Sequence, residues 1–215
     1  MYKIDGVETL IVSGGATTSN LSKIWFEKDG STRKFYGGTL SSDSSGVFIT
    51  LHRERIWAGG DIVLPKNTVA YSNALDPTDW TTAGETGEIT VETFDGDHIT
   101  GIATLLDDVV IFKRNSIWRV LGDIPSEYTV EQVYSMEGTI YPKSICTSGG
   151  RAFFMTTEGL YEYLGIETRP LLTDRIKNTI SDFNPKWDEV MCFVHDYKII
   201  IVQRYQISST VYKGF

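Results

Sequence analysis

Two stretches of the sequence indicate the fold most clearly: VVIFKRNSIWRVLG at residues 109–122 and AFFMTTEGLYEYLG at residues 152–165. Both ends of the second stretch lie 43 positions after those of the first, with no insertion between them. Each stretch is a short apolar run, a polar turn and a second run with an aromatic residue at the same place, Trp118 or Tyr161. A repeat in the low forties that is made of strands is typical of one β-propeller blade.

Further copies of this pattern lie on both sides of the pair. Residues 99–105 match residues 142–148, so that Ala103 corresponds to Cys146. Looser copies lie at residues 189–202 and 46–60, and the most degenerate one at residues 8–26. Their β-branched and aromatic residues, punctuated by Gly, Asp and Asn, favour strands over buried helix. The sequence predicts an all-β fold: a single β-propeller domain over residues 1–215 with about four to five blades.

The last unit has only three predicted strands, the third at residues 206–212. The propeller is therefore either incomplete, completed by another subunit, or closed by a terminal strand, for which Tyr2–Ile4 is the candidate. A short helix is predicted at residues 174–181, where Thr173 or Asp174 caps its first turn. Ile200 is predicted to be buried in the core. Val110, Phe112, Phe153 and Met155, in the equivalent earlier strands, are predicted not to be all exposed.

The net charge is −8, which argues against a general nucleic-acid-binding surface but leaves room for a neutral channel that passes DNA. The longest apolar run, at residues 198–202, is too short to span a membrane, and the first residues do not resemble a signal peptide. Cys146 and Cys192 fall at corresponding places in successive units, so a disulfide is conceivable. Two small buried thiols are the interpretation that we favour.

The most specific pattern lies at residues 55–80. It reads RIWAGG at residues 55–60, VAYS at residues 69–72 and DPTDW at residues 76–80. The first two are predicted to be paired strands. Asp76 is predicted to accept hydrogen bonds from the amides that follow it, while Pro77 fixes φ in the turn. Trp80 is then expected to fold back onto the sheet.

This succession resembles the β-propeller virion proteins of tailed bacteriophages, of the tail hub, nozzle and packaged-DNA stabilisation type. The residues that carry the resemblance are Arg55, Trp57, Gly59, Tyr71, Ser72, Asp76, Pro77 and Trp80. The resemblance implies a phage or prophage structural protein of the neck or tail, made in the bacterial cytoplasm and located in the virion. It implies a homo-oligomer that assembles with other virion subunits around the DNA path and contacts DNA passively. It implies no enzymatic activity and no cofactor. Ala70 departs from the aromatic residue expected at its position.

The alternative is a five-bladed propeller that binds carbohydrate or hydrolyses glycosides through carboxylates at its axis. Its candidates are Asp97, Asp188 and Glu189, although carboxylates at strand starts usually bond local amides. A metal site would need His52, His98 and His195 to meet. No spacing supports that, and exposed turn histidines are the favoured interpretation, so we predict no catalytic, cofactor or metal residues. Residues 94–98 likewise fit a plain turn better than a calcium loop.

Overall fold

The computed structural model describes residues 46–60, 67–91, 96–133, 137–171 and 190–202, together with the backbone of residue 203 and of strands at residues 2–4, 7–12, 22–29 and 32–39. The helix predicted at residues 174–181 lies outside the described residues, and so do Asp188 and Glu189.

The fold is all-β, and each antiparallel sheet consists of strands that follow one another in sequence. The first sheet contains β1 (Tyr2–Ile4), β2 (Val7–Val12), β3 (Ser22–Asp29) and β4 (Thr32–Thr39). The second contains β5 (Phe48–His52), β6 (Arg55–Gly59), β7 (Thr68–Tyr71) and β8 (Gly87–Thr90). The third contains β9 (Ile99–Leu105), β10 (Asp108–Lys113), β11 (Ile117–Leu121) and β12 (Thr129–Gln132). The fourth contains β13 (Cys146–Ser148), β14 (Arg151–Met155), β15 (Leu160–Tyr163) and β16 (Thr168–Pro170). The fifth contains β17 (Val190–His195) and β18 (Lys198–Gln203).

Strand pairing repeats at the offset of 43 residues that the sequence predicts. Ala103 pairs with Val110 in the third sheet, and Cys146 pairs with Phe153 at the same place in the fourth. All four pairs between β10 and β11 recur between β14 and β15 with the same shift. The prediction of an all-β fold built from repeated strand units is therefore confirmed. The fold includes a four-stranded sheet before residue 45.

The second strand of each described repeat carries much of the core. Every residue from Val109 to Lys113 in β10 is buried, as expected for a strand that is covered on both faces. Phe153 and Met155 are buried at the equivalent place in β14. The prediction that Ile200 is buried is wrong, because it is only half-buried. Its neighbours Ile199 and Ile201 pack against the core instead, and alternation along β18 directs Ile200 to the other face.

Two compact units divide the chain, Met1–Gly138 and Thr139–Phe215. The first unit has a buried cluster between its second and third sheets, formed by Trp57, Val69, Tyr71, Val91, Ile99, Ile102, Val109, Ile111 and Val120. The second unit has its own cluster, formed by Tyr141, Phe153, Met155, Leu160, Val190 and Cys192. Each fully buried aliphatic side chain contributes about 1.5–3 kcal/mol to folding, so each cluster is a substantial core. The single domain over residues 1–215 stays a prediction.

The first strands of the second and third sheets lie side by side, and so do those of the fourth and fifth sheets. The hydroxyl groups of Thr50 in β5 and Thr104 in β9 are hydrogen-bonded at 2.9 Å, and Thr104 Oγ1 also donates to the carbonyl of Leu51. In the second unit, β13 contacts β17. These two pairs of sheets therefore meet along their first strands.

The N-terminal strand lies in the first sheet. Tyr2–Ile4 pairs with Val7–Val12, with Tyr2 opposite Thr9, at the edge of that sheet as described. Closure of the propeller by pairing of this strand with the end of the chain stays a prediction, because residues 204–215 lie outside the described residues. Among the described residues, no helix has the length and apolarity that crossing a membrane requires.

Cys146 and Cys192 are free thiols. Their positions do not correspond, contrary to the sequence prediction. Cys146 lies two residues before the end of its strand at Ser148, whereas Cys192 lies three before the end of its strand at His195. Burial raises the pKa of Cys192 to about 12, with a smaller contribution from nearby Cys146. Both thiols therefore pack as small hydrophobic groups.

Candidate functional site

The pattern residues between positions 55 and 80 lie together in and beside the second sheet. Arg55, Trp57 and Gly59 lie on β6, which pairs with the β7 strand that contains Tyr71. Ser72 follows β7 directly, and its amide donates to the carbonyl of Ile56 across the pair. The remaining three pattern residues, Asp76, Pro77 and Trp80, lie in the connection from β7 to β8. The predicted pairing of these two strands is therefore confirmed.

A buried guanidinium fixes this connection to the sheet. Arg55 is almost completely buried and donates from Nη1 to the carbonyl of Ser72 at 3.1 Å and to the carbonyl of Glu85. Its Nη2 donates to the half-exposed carboxylate of Glu85 at 3.0 Å. A buried cation is tolerated only when it has acceptors and a counter-charge, and both are supplied from opposite ends of one loop. Arg55 thereby holds together the ends of the segment from Ser72 to Glu85.

The same loop is braced from within. Ser72 Oγ accepts from the amide of Ile56 and donates to the carbonyl of Asn73. Asn73 Nδ2 donates to Asp79 Oδ2 at 2.8 Å, across the turn. Hydrogen bonds from Thr82 and Asn73 hold the pKa of Asp79 well below its usual range. Asp79 is thus charged at any physiological pH and keeps the turn closed.

The predicted roles of Asp76 and Trp80 are both confirmed. Asp76 Oδ1 accepts from the amide of Thr78 at 2.9 Å and from its hydroxyl group. Trp80 folds back on the sheet and packs against Ile56 and Ala58, while its indole nitrogen donates to the carbonyl of Pro77 at 2.8 Å. An Asx turn followed by a packed indole makes a rigid rim at this end of the sheet.

On the face toward the third sheet, the pattern residues form an aromatic cluster. The ring centroids of Trp57 and Tyr71 lie 4.9 Å apart, and Tyr128 lies 5.2 Å from each of them. Such contacts add about 0.5–1.5 kcal/mol per pair beyond the area that they bury. Gly59 lies in the same packed layer, where an added Cβ would come within 2.7 Å of Val69 Cγ1 and 2.9 Å of Ile102 Cδ1. Gly59 is needed for close packing.

The alternative candidates are dispersed. His98 is exposed, whereas His52 is buried, so the prediction of an exposed turn histidine is wrong for His52. His52 ends β5 and His98 precedes β9, at opposite ends of two adjacent strands, while exposed His195 belongs to the second unit. The structure does not bring His52 and His98 together. Among the described residues, no group of three metal-binding side chains is close enough to hold an ion.

A polar cleft of about 350 Å³ contains Asp97 and His98, together with Gly96, Arg114 and Asn115. The carboxylate of Asp97 accepts from the amides of His98 and Asn115, which is the turn role predicted for it. Behind it, Lys113 is fully buried and donates to the carbonyls of Val91 at 2.6 Å and Asp97 at 3.2 Å. Lys113 therefore links the two ends of the connection between the second and third sheets.

The opposite end of these sheets carries a charged network that the sequence reasoning missed. Arg53 pairs with Asp123 at 2.8 Å and with Asp107 at 3.8 Å. Burial, followed by the charge of Arg53, lowers the pKa of His52, and Asp108 opposes this effect. Burial raises the pKa of Asp108. The charge of Arg119, whose Nη1 lies 3.6 Å from Asp108 Oδ2, opposes this rise. For Arg53 and Asp107, the signal available in the sequence was their equivalent position in the two-residue turns of successive units.

Fold and site together define an all-β protein of repeated antiparallel sheets, in which a hydrogen-bonded loop pattern makes a rigid rim on one sheet. No model of a protein family matches the chain, and no curated protein matches it.

Proposed function

We propose that this chain is a non-enzymatic structural protein of a tailed phage or prophage virion. Its sheets are the blades of a propeller of about four to five blades, and it assembles as a homo-oligomer with other virion subunits around the DNA path. It is made in the bacterial cytoplasm and contacts DNA passively.

The observation that carries this proposal is the hydrogen-bonded segment from Arg55 to Trp80. The side chains of Arg55, Ser72 and Asp76 bind local backbone groups and stiffen the rim, which is how a protein presents a defined surface to a neighbour. Preformed surfaces avoid the entropic cost of ordering on association. The segment also carries the resemblance to virion propellers.

The propeller itself is supported by the contacts between first strands. Thr50 and Thr104 join the first strands of two successive four-stranded sheets, as blades that surround an axis require. The repeated register at an offset of 43 residues supports equivalent blades.

Electron microscopy of particles formed by the purified full chain tests the proposal. We expect rings with a central passage, and sedimentation coefficients that rise with protein concentration. Glycoside hydrolysis is measured in parallel for the wild type and for Asp97→Asn and Asp188→Asn, which keep the side-chain size and remove the charge. A strictly monomeric protein that hydrolyses a glycoside, with activity lost in either variant, would refute the structural role and favour the glycosidase.

A further inference from the structure

Three exposed apolar side chains surround the charged network at one end of the first unit. Leu75 is 68% exposed, Leu106 is 67% exposed and Ile124 is 49% exposed. The amide of Leu75 donates to the carbonyl of Glu54, which places it beside the β5–β6 turn. Arg53 in that turn binds the carboxylates next to Leu106 and next to Ile124. We call Leu75, Leu106 and Ile124, with the carboxylates beside them, the leucine rim.

Two of these residues are also in an unfavourable backbone conformation. Leu75 has φ of +63° and Leu106 has φ of +53°, in the left-handed region that leucine rarely adopts. Asn or Gly at either position would relieve the backbone and remove apolar surface from water. Folding alone therefore does not explain leucine at either position, whereas contact with another molecule does.

The charges of the leucine rim identify the kind of partner. Three exposed carboxylates directly neighbour the apolar residues in sequence: Asp76, Asp107 and Asp123. They outnumber the guanidinium of Arg53, which pairs with Asp107 and Asp123, so the rim keeps a net negative charge. A second copy of the same face would place carboxylates against carboxylates, which is unfavourable. The complementary surface has apolar side chains interleaved with Lys or Arg.

We infer that the leucine rim docks a basic, apolar segment of a different protein chain. The proposal deepens the virion role, since it names the chemistry of one neighbouring subunit surface. Leu75 and Leu106 supply the apolar contact, and the carboxylates of the rim, which outnumber the Arg53 guanidinium, select the cationic residues and speed their encounter.

A synthetic peptide of about twelve alternating Leu and Lys residues serves as the probe, because in extended form it is about 40 Å long and can reach across neighbouring sheets. Peptides of alternating Leu and Glu, or Ser and Lys, are its controls. Methyl-labelled leucines of the full chain are followed by NMR. Of the three peptides, we expect only the Leu–Lys peptide to bind, with the largest chemical-shift changes at the methyl groups of Leu75 and Leu106. Each leucine that is buried by the peptide strengthens binding by about tenfold.

The variants Leu75→Asn and Leu106→Asn separate docking from folding. Each is expected to raise the melting temperature by about 2 °C or more, because Asn accepts the left-handed backbone. Each is expected to weaken binding of the Leu–Lys peptide by about tenfold. Ile166→Asn is the matched control: Ile166 is 77% exposed in the second unit, and the change should alter neither quantity.

Equal binding of the Leu–Lys peptide to the wild type and to the Leu75→Asn/Leu106→Asn variant would overturn the proposal. Binding of the Leu–Glu peptide as tight as that of Leu–Lys would also overturn it, because charge would then select nothing. A wild-type dimer that this double variant lacks in sedimentation would make the occupant a second copy and reject the basic partner. These measurements use the isolated protein and leave the virion role to the particle experiment.

Discussion

Arg55→Met removes the guanidinium that joins β6 to the loop after β7, while it keeps a side chain of similar length. The carbonyls of Ser72 and Glu85 then lose a charged donor in a site that is largely closed to water. A hydrogen bond to a charged group contributes about 1.5–3 kcal/mol, and breaking a buried ionic contact costs about 3–5 kcal/mol. Because the lost bonds share one donor, their energies do not add. We expect the free energy of unfolding to fall by about 3–5 kcal/mol.

Urea unfolding followed by tryptophan fluorescence measures this loss. Four of the five tryptophans lie in residues 1–138, so the signal reports chiefly on the unit that contains Arg55. At about 2–4 °C for each kcal/mol, the melting temperature should fall by roughly 6–20 °C. The melting temperature of Arg55→Lys should lie between those of the wild type and Arg55→Met, because lysine keeps the charge but lacks the two separate nitrogens that donate to Ser72 and Glu85.

Arg169→Met is the matched control. Arg169 pairs with Glu167 on the surface, where both side chains are more than half exposed, and such pairs contribute less than about 1 kcal/mol. If Arg55→Met is no more destabilising than Arg169→Met, then the guanidinium does not hold the loop, and Arg55 does not make the rim rigid.

Three further predictions concern packing, pH and thiol reactivity. Gly59→Ala should lower the free energy of unfolding, measured by urea titration, by about 1–3 kcal/mol through overpacking. Ile102→Val deletes the methyl group that would lie 2.9 Å from the new Cβ, so the double variant should recover part of that loss. The pKa of His52 is lowered from 6.5 in the folded protein, so the unfolded chain binds a proton at His52 more readily than the folded protein does. The free energy of unfolding should therefore fall as the pH drops below 6.5. His52→Gln should make the urea midpoint less dependent on pH. Cys192, with a pKa of about 12, should react with a thiol reagent at pH 8 far more slowly than half-buried Cys146, and equal rates in the folded protein would contradict its burial.

The sequence predicted those parts of the fold that depend on local periodicity. Residues 109–122 and 152–165 share one register, because alternation and turn length together determine how two adjacent strands pair. The Asx turn at Asp76 and the packed indole of Trp80 were also predictable, since each follows from a few neighbouring residues.

What the sequence could not predict depends on contacts between residues far apart in the chain. The partner of Arg55 is Glu85, thirty positions away on the far side of a loop, and no periodicity marks it. The burial of His52 follows from the packing of β5 beside β9. The predicted burial of Ile200 was wrong for a different reason: three consecutive isoleucines do not reveal which of the alternate faces of the strand meets the core.

The turns between first and second strands show where the sequence serves more than the fold. In four successive sheets a two-residue turn joins these strands, at residues 53–54, 106–107, 149–150 and 196–197. Each contains left-handed backbone, yet glycine occupies it in only one turn, Gly149-Gly150. The cost of a non-glycine residue there is roughly 1 kcal/mol, and a sequence selected for the turn alone would use Gly or Asn. Leu106 adds an exposed apolar side chain to that cost, and the proposed docking at the leucine rim would remove this side chain from water.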